Sequence, residues 1–341
     1  MFIQLRILFL SILLFFLGLC CDDSTSVTDL SGNTNQSIDY PCLAALDDCS
    51  NQLDIKHGTF NFFSSFHIDS ISNVSGVVIS VHGNSRNADD YFDKMISVLT
   101  SQGLKDDVMI ISPKFGTIYE QKTEKDWYWN STSWKWGMES YMLDNLSISS
   151  FEVIDSLISR LSDKSYFPEL TDILITGHSS GAAFVHLYSG SKTNNLWNNV
   201  NLHFSVVNNQ YFLHSESSRL QADGTLSILN NCDNYNDWPY GLENLNPFMD
   251  LFGKETLKNN FHSNEVVYFI GEDDNQTSGI TPGCQYEILG TNRYDKNINF
   301  NTYMNSIHPS NQHSFNVIPN VGHSTNSYSS PIFLNYINTI F

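Results

Sequence analysis

A serine in a glycine-flanked turn is the clearest chemical feature of this 341-residue chain. Residues 177–181 read Gly-His-Ser-Ser-Gly, the pattern G-x-S-x-G, between a β-branched run at 172–176 and a helix-prone run at 182–188. A serine hydroxyl is a poor nucleophile at neutral pH, so it needs exposure, a base and donors for the oxyanion that it creates. Strand, turn and helix supply the exposure. The pattern therefore predicts that Ser179 is a nucleophile.

The elements around this turn follow an alternating order of strands and helices. Near-continuous apolar, β-branched runs indicate strands that are buried on both faces, and helical patterns between them indicate a mostly parallel sheet. The fold class is therefore α/β, with a mostly parallel central sheet flanked by helices. A last helix is expected after Ser330 as N-cap, with Pro331 in its first turn. The predicted strands lie at 77–81, 108–111, 173–175, 204–207, 266–270 and 315–318, and a helix is predicted at 148–161.

Three connections, at about 113–146, 210–264 and 275–312, are too long for simple turns. Long connections in a compact domain are usually functional or disordered, and the aromatic content of these three argues against disorder. They follow the C-terminal ends of strands, where open parallel sheets bind ligands. We therefore favour a substrate cleft lined by the tryptophan-rich stretches 127–129 and 134–136, with a role in covering the core as the alternative.

The turn at 177–181 resembles the nucleophile elbow of the α/β-hydrolase superfamily, and the likeness covers about residues 56–341. That superfamily places nucleophile, acid and histidine in this order, each just past the end of a strand. The resemblance implies that Asp274, which matches G-x-x-D after the strand at 266–270, is the acid. Asp273 is the alternative acid, ahead of Glu272.

The same resemblance assigns the base and the oxyanion hole. The histidine should follow the last strand, which implies His323. The backbone N–H of Ser180, directly after the nucleophile, is similar to the first oxyanion donor of the superfamily. The second donor is expected from the loop after the strand at 77–81, at Gly83 or Asn84, with His82 supporting that loop.

The N-terminal residues have the pattern of an export signal. Residues 1–20 contain Arg6 followed by an apolar run, which predicts a signal peptide or lipoprotein signal, with an uncleaved anchor as the alternative. Lipid attachment at Cys20 or Cys21 stays open. Residues 21–55 are predicted to be a polar linker, and 56–341 a single catalytic domain with a cap-like insertion at about 210–264.

Net charge and motif content restrict the partners. The formal net charge of −19 disfavours nucleic acid, because such a surface repels phosphate backbones. No metal-binding spacing and no glycine-rich phosphate loop occurs, so neither a metal nor a cofactor is predicted. The expected partner is a small-molecule or polymeric ester substrate. Membrane contact is expected only through an N-terminal lipid or an uncleaved signal.

Four cysteines follow the N-terminal segment, and four cysteines allow three pairings. Export would oxidise them. The pairing of Cys42 with Cys49 is favoured because the two are close in sequence, and that of Cys232 with Cys284 because both fall in loops expected on one face.

The leading hypothesis is an exported serine hydrolase, secreted, periplasmic or on the cell surface, that cleaves carboxylic esters through an acyl-enzyme. The motif does not define the leaving group or the acceptor, so peptidase or acyltransferase activity stays open. An inactive surface binding protein of the same fold is the alternative from another class. Each expected catalytic residue type occurs in the expected order, which argues against loss of activity.

Overall fold

The computed structural model of the chain describes residues 40–192, 197, 199–221 and 223–341. The predicted signal at 1–20, with its cysteines Cys20 and Cys21, and the part of the linker before residue 40 lie outside these residues. Within them, no helix combines the length and the apolar character needed to cross a bilayer.

An eight-stranded sheet forms the centre of the described part of the chain, in the order β1-β2-β4-β3-β5-β6-β9-β10. All its pairings from β4 to β10 are parallel, whereas β1 pairs with β2 and β2 with β4 in antiparallel fashion. The predicted α/β fold with a mostly parallel sheet is thus confirmed. The strands are β1 (Ser50–Ile55), β2 (Gly58–Ser64), β3 (Gly76–Val81), β4 (Val108–Pro113), β5 (Asp172–His178), β6 (Asn201–Val207), β7 (Arg219–Leu220), β8 (Leu226–Ser227), β9 (Val266–Gly271) and β10 (His313–Ile318).

Helices cover both faces of this sheet, which explains why its inner strands are apolar throughout. Every residue of β3, β4 and β9 is buried. The predicted last helix is α8, in which the Ser330 hydroxyl accepts a hydrogen bond from the Phe333 N–H. The helices are α1 (Ala88–Gln102), α2 (Ser150–Leu161), α3 (Ser180–Ser189), α4 (Pro247–Asp250), α5 (Lys254–Ser263), α6 (Cys284–Glu287), α7 (Arg293–Ile307) and α8 (Pro331–Ile340).

The predicted polar linker at 21–55 extends too far along the chain. Ser50–Ile55 is β1, which pairs along its whole length with β2 at the edge of the central sheet. Phe60 and Phe62 alternate along β2 and are both buried, so the hairpin contributes to the core. The sheet therefore begins before residue 56. The sequence pattern did not indicate this, because an edge hairpin with alternating burial has too few apolar residues to be distinguished from a polar linker.

Three of the tryptophans in the tryptophan-rich stretches cover the core, and one of them, Trp129, also lines an open cavity of about 480 Å³. Trp127, Trp129 and Trp134 are buried in the core. The Trp134 ring stacks on Phe115 at a centroid distance of 5.5 Å, and the Trp127 indole N–H donates to the carbonyl of Ile55 at 3.0 Å. These indoles therefore cover the core at the ends of the strands.

The insertion at 210–264 contains β7, β8, α4 and α5, joined by irregular backbone. The buried Arg219 organises it by donating to the carbonyls of Glu216, Tyr235 and Tyr240. The insertion is tied to the segment after β4, because the Trp238 indole N–H donates to the Trp136 carbonyl at 2.8 Å.

Two disulfides are present, and they have the pairing that the sequence favours. Cys42 is bonded to Cys49, close to the start of the described chain. Cys232 is bonded to Cys284, which joins the insertion to the segment after β9. The second bond therefore connects two long segments that follow β6 and β9.

Candidate active site

Ser179 stands on a sharp turn between β5 and α3. Its backbone is in a region that non-glycine residues rarely adopt, with φ 59° and ψ −112°, and its N–H donates to the carbonyl of Val207 at 3.0 Å. The turn is possible because small residues flank it. A Cβ at Gly181 would lie 2.2 Å from the Val81 carbonyl oxygen, so α3 packs directly against the backbone of β3.

His323 joins Ser179 to Asp274. The Nε2 atom of His323 lies 3.0 Å from the Ser179 hydroxyl oxygen, and its Nδ1 atom lies 2.8 Å from Oδ2 of Asp274. The Asp274 side chain is 1% exposed and that of His323 is 30% exposed. A buried carboxylate, a half-exposed imidazole and a half-buried hydroxyl thus form one hydrogen-bonded line that opens to solvent at the serine.

The carboxylate of Asp274 is held by two further side chains. Asn208 donates its amide to Oδ2 at 2.8 Å, and the Arg293 guanidinium lies 3.5 Å from Oδ1. Burial alone would raise the pKa of Asp274, but the hydrogen bond from His323, the Asn208 amide and the two cationic neighbours outweigh it and lower the pKa. Asp274 is therefore an acceptor for the His323 N–H at neutral pH.

The two other acids of the same loop are not brought to the histidine. Asp273 and Glu272 are exposed, and the Glu272 carboxylate accepts the Asn320 N–H at 3.3 Å. The Asp274 N–H donates to the Gly271 carbonyl at 3.0 Å in the turn that directs its side chain inward. Of the three acids considered from the sequence, the structure brings Asp274 alone into contact with His323.

His82 is a buried support for the loop after β3. Its Nδ1–H donates to the Gly83 carbonyl at 2.9 Å, and its Nε2 accepts the Phe115 N–H at 3.0 Å, which fixes a neutral tautomer. Burial lowers the pKa of His82 to about 4. The ring contacts Trp134 at a centroid distance of 4.5 Å. This loop is therefore fixed to the chain after β4 by a side chain that remains uncharged.

The backbone around the elbow offers N–H groups near Ser179. Ser180 is the first residue of α3, so its N–H has no acceptor within the helix. Burial raises the pKa of Tyr91, and a contact with the Gly83 N–H partly opposes that rise. Gly83 faces the Tyr91 hydroxyl oxygen, which lies 2.7 Å from where a Cβ of this glycine would stand. Gly83 and Asn84 both stay predicted donors.

His178 packs against the ring of His323. Its ring stacks on that of His323 at a centroid distance of 4.8 Å, and its Nδ1 lies 3.1 Å from the Tyr91 hydroxyl. Burial, with the charges of His323 and Arg293, lowers the pKa of His178 to about 3 although Asp274 opposes the effect. A neutral ring thus supports His323 on one face.

Sequence reasoning did not find Asn208 or Arg293. Asn208 is 66 positions from Asp274 and Arg293 is 19 positions away, and no motif connects them. Among the described residues, no group of three or more His, Cys, Asp or Glu side chains is arranged to hold a metal ion.

The eight-stranded, mostly parallel sheet, with Ser179 on the turn between β5 and α3, is the α/β-hydrolase fold. No family model matches the chain, and no curated protein matches it in sequence. The chain is similar in fold to the poly(3-hydroxybutyrate) depolymerase LpqC from Bordetella parapertussis, at 14% identity, with 83% of this chain and 85% of that chain covered and a TM-score of 0.59.

A second solved structure of this fold is the poly(aspartic acid) hydrolase-1 from Sphingomonas sp. KT-1. It is 16% identical, with 85% of this chain and 97% of that chain covered and a TM-score of 0.59. At these identities the likeness concerns the fold. The α/β-hydrolase fold that the sequence predicts is therefore confirmed.

Proposed function

We propose that the protein is an exported serine hydrolase that cleaves carboxylic esters. The observation that carries the proposal is the line of contacts from Asp274 through His323 to Ser179, with distances of 2.8 and 3.0 Å. These distances fall within the range that proton transfer between a serine and its base requires. The nucleophile, base and acid also stand at the ends of β5, β10 and β9.

In the first half of the reaction, His323 takes the hydroxyl proton of Ser179 at Nε2 while the serine oxygen attacks the ester carbonyl carbon. Asp274 accepts the Nδ1–H of His323 and stabilises the imidazolium that forms. The tetrahedral intermediate breaks its bond to the alkoxy oxygen, which leaves as an alcohol with the proton from His323. An acyl group then remains on Ser179.

In the second half, His323 takes a proton from a water molecule, and the resulting hydroxide attacks the acyl carbonyl carbon. The new tetrahedral intermediate releases the carboxylic acid, and the proton returns to Ser179. In both intermediates the oxyanion needs donors that are already in place. We assign this role to the backbone N–H group of Ser180 and to that of Gly83 or Asn84.

Export is supported by the oxidised cysteines and by the signal pattern at 1–20. The bonds Cys42–Cys49 and Cys232–Cys284 are of a kind that persists outside the reducing cytosol. We therefore propose that the protein acts in the periplasm, on the cell surface or outside the cell.

We further propose that the ester substrate is polymeric. The two solved structures of this fold described above carry the names of a poly(3-hydroxybutyrate) depolymerase and a poly(aspartic acid) hydrolase, both of which refer to polymers. The half-exposed His323 and Ser179 are reachable from solvent, as a chain too long to enter a closed pocket requires. An inactive binding protein of the same fold is the alternative, and the intact contacts around His323 argue against it.

The proposal is tested with a fluorophosphonate probe and 4-nitrophenyl esters from acetate to palmitate. We expect stoichiometric labelling of the wild type on Ser179, identified by peptide mass spectrometry, and release of nitrophenol. Ser179→Ala should lose both, whereas Ser156→Ala, which removes a hydroxyl from α2, should keep both. A wild-type protein that is neither labelled nor active on any ester would overturn the proposal in favour of the binding protein.

A further inference from the structure

Lys135 is a buried lysine whose ammonium group has no counter-charge among the described residues. The residue is 5% exposed, and its Nζ lies 4.6 Å from the ring centre of Trp136 and 4.7 Å from that of Tyr211. In the part of the chain that the structure describes, no carboxylate oxygen lies within 4.0 Å of this Nζ. Burying an unpaired charge is unfavourable, and two aromatic faces compensate only part of the lost hydration.

A second buried lysine shows how the same fold satisfies such a group. Lys192 also lies against aromatic rings, 4.5 Å from the ring centre of Tyr188, but its Nζ is 2.5 Å from the carboxylate of Asp155. Lys296 resembles Lys135 in having an unpartnered Nζ, but it lines a small cavity of about 10 Å³, which has room for at most one water. Lys135 does not line this cavity, and among the described residues it has no carboxylate partner of the kind that Lys192 has.

Lys135 lies between the elements that flank the nucleophile elbow. It belongs to the short helical turn Ser133–Trp136, which packs against α3, the helix that begins after Ser179. On one side of it, the Trp134 ring touches His82 at the end of β3. On the other side, Tyr211 follows the end of β6. Because β5 lies between β3 and β6 in the sheet, this turn spans the strand end that carries Ser179.

Two other cations near this strand end already have partners. Arg86, in the loop after β3, donates to the carboxylate of Glu120 at 2.8 Å. Arg293 faces Asp274. Lys135 thus differs from both in presenting a charge that the protein itself does not neutralise.

We propose that Lys135 binds a carboxylate carried by the substrate, so that the enzyme prefers esters that bear one negative charge at a distance from the scissile bond. This inference rests on the proposed ester hydrolysis at Ser179. A single ammonium matches a singly charged carboxylate better than a doubly charged phosphate. The aromatic walls exclude water, which strengthens the pairing relative to an exposed one. A half-ester of a dicarboxylic acid, or the acidic end of an oligoester, has this chemistry.

The pH dependence of the preference gives an independent readout. Burial lowers the pKa of Lys135 to about 8. Its ring neighbour Tyr211 stays neutral, because burial raises the pKa of the Tyr211 hydroxyl. That hydroxyl is hydrogen-bonded to the Thr281 hydroxyl at 2.6 Å. The preference should therefore be largest below pH 8 and should fall as Lys135 loses its proton above it.

The experiment compares charged and neutral esters of equal chain length. One pair places the charge on the acyl side, as mono-4-nitrophenyl adipate against 4-nitrophenyl hexanoate. The second pair places it on the alcohol side, as 4-(hexanoyloxy)butanoate against butyl hexanoate, followed by titration of the released acid. We expect the wild type to have the higher kcat/KM for the charged member in at least one pair.

The variants separate recognition from packing. Lys135→Met keeps the aliphatic length and removes the charge, and we expect it to lower the charged-to-neutral kcat/KM ratio by roughly ten- to hundredfold, the effect of losing a hydrogen bond to a charged group. Lys135→Arg should retain most of the ratio. Lys56→Met removes an exposed charge that pairs with Glu152, and it should leave the ratio unchanged.

Two results would overturn the inference while the proposed hydrolase stands. One is a wild type that cleaves neutral esters faster in both pairs. The other is a Lys135→Met variant that keeps the wild-type ratio, which would mean that the charge of Lys135 takes no part in substrate recognition. Absence of activity on every ester, together with absence of fluorophosphonate labelling, would instead mean that the proposed function itself has failed.

Discussion

Asn208 donates its side-chain amide to the carboxylate of Asp274 at 2.8 Å and to the carbonyl of Gly322 at 3.1 Å. One buried amide thus joins the acid to the loop that carries His323. Its orientation is fixed from behind, because the Ser327 hydroxyl donates to its carbonyl oxygen at 2.9 Å. Asn208 adopts a positive φ of 54°, which asparagine tolerates better than most residues. It is therefore a positioning residue for the His323–Asp274 pair.

Removing this amide should lower kcat more than it changes KM. In Asn208→Gly, which keeps the positive φ accessible, we expect kcat to fall on the order of tenfold to a hundredfold, as for the loss of one hydrogen bond to a charged group. Asn208→Ala should show the same loss of activity and a lower melting temperature, because alanine strains the backbone. Steady-state kinetics and thermal unfolding measure the two effects. Wild-type kcat in both variants would show that Gly322 and Asp274 hold their places without the amide.

Buried neutral histidines should make the protein lose stability in mild acid. The pKa of His82 falls from 6.5 to about 4 on burial, so between these values the unfolded chain binds a proton that the folded chain does not. The stabilising contribution is complete above pH 6.5 and is lost as the pH falls towards 4, by about 3 kcal/mol for this one group. In His82→Gln, whose amide oxygen can still accept the Phe115 N–H, the free energy of unfolding should fall less steeply over this range.

Urea unfolding at several pH values measures that slope. His57→Gln, at an exposed position in the turn between β1 and β2, is the control and should leave the slope as in the wild type. A His82→Gln variant with the wild-type slope would mean that protonation of other buried histidines, such as His178 and His186, dominates the acid response.

Much of the fold could be predicted from local sequence, because buried parallel strands are apolar at every position. Ser179 and Asp274 could be proposed because each closely follows such a strand, and His323 because it follows β10, the last strand in the sheet order. Asn208 also ends a strand, but an asparagine after a strand has many other uses, and its contact with Asp274 spans 66 positions. The supporting residues of the site depend on long-range contacts that no local pattern encodes.

The helix α7 shows a second reason why sequence reasoning fell short. Its buried face repeats at helical spacing, but charged and amide groups occupy the first half of that face: Arg293, Lys296 and Asn297 precede Phe300 and Tyr303. Hydrophobic periodicity detects an inner face only when that face is apolar. Hydrophobic periodicity therefore predicts a long connection at 275–312, where the structure has α7. The polar inner face is what brings Arg293 to Asp274.

The two disulfides should contribute unequally to stability. The bond Cys232–Cys284 closes a sequence separation of 52 and Cys42–Cys49 one of 7. Loop-closure entropy assigns about 4 kcal/mol to the first and about 2 kcal/mol to the second. We expect the double variant Cys232→Ser/Cys284→Ser to lower the free energy of unfolding by more than Cys42→Ser/Cys49→Ser. Urea unfolding under non-reducing conditions checks this order, and the reverse order would show that local packing outweighs chain entropy.

Gly181 in the elbow should not tolerate replacement by a larger residue. A Cβ there would meet the Val81 carbonyl oxygen at 2.2 Å and the His82 carbonyl oxygen at 2.7 Å. Neither backbone atom can rotate away, so in Gly181→Ala the helix α3 must separate from β3. We expect the free energy of unfolding to fall by about 1–3 kcal/mol, as in overpacked cores, and kcat/KM to fall on the order of a hundredfold, because Ser179 and the Ser180 N–H move with the helix.

Gly190, at the other end of α3, is the matched control. Its φ is −66°, and a Cβ there would meet nothing nearer than 3.6 Å, so Gly190→Ala should remain within about 1 kcal/mol of the wild type and keep its activity. Urea unfolding and 4-nitrophenyl ester kinetics compare the two variants. Equal activity in Gly181→Ala and Gly190→Ala would mean that the contact between α3 and β3 does not hold Ser179 in place.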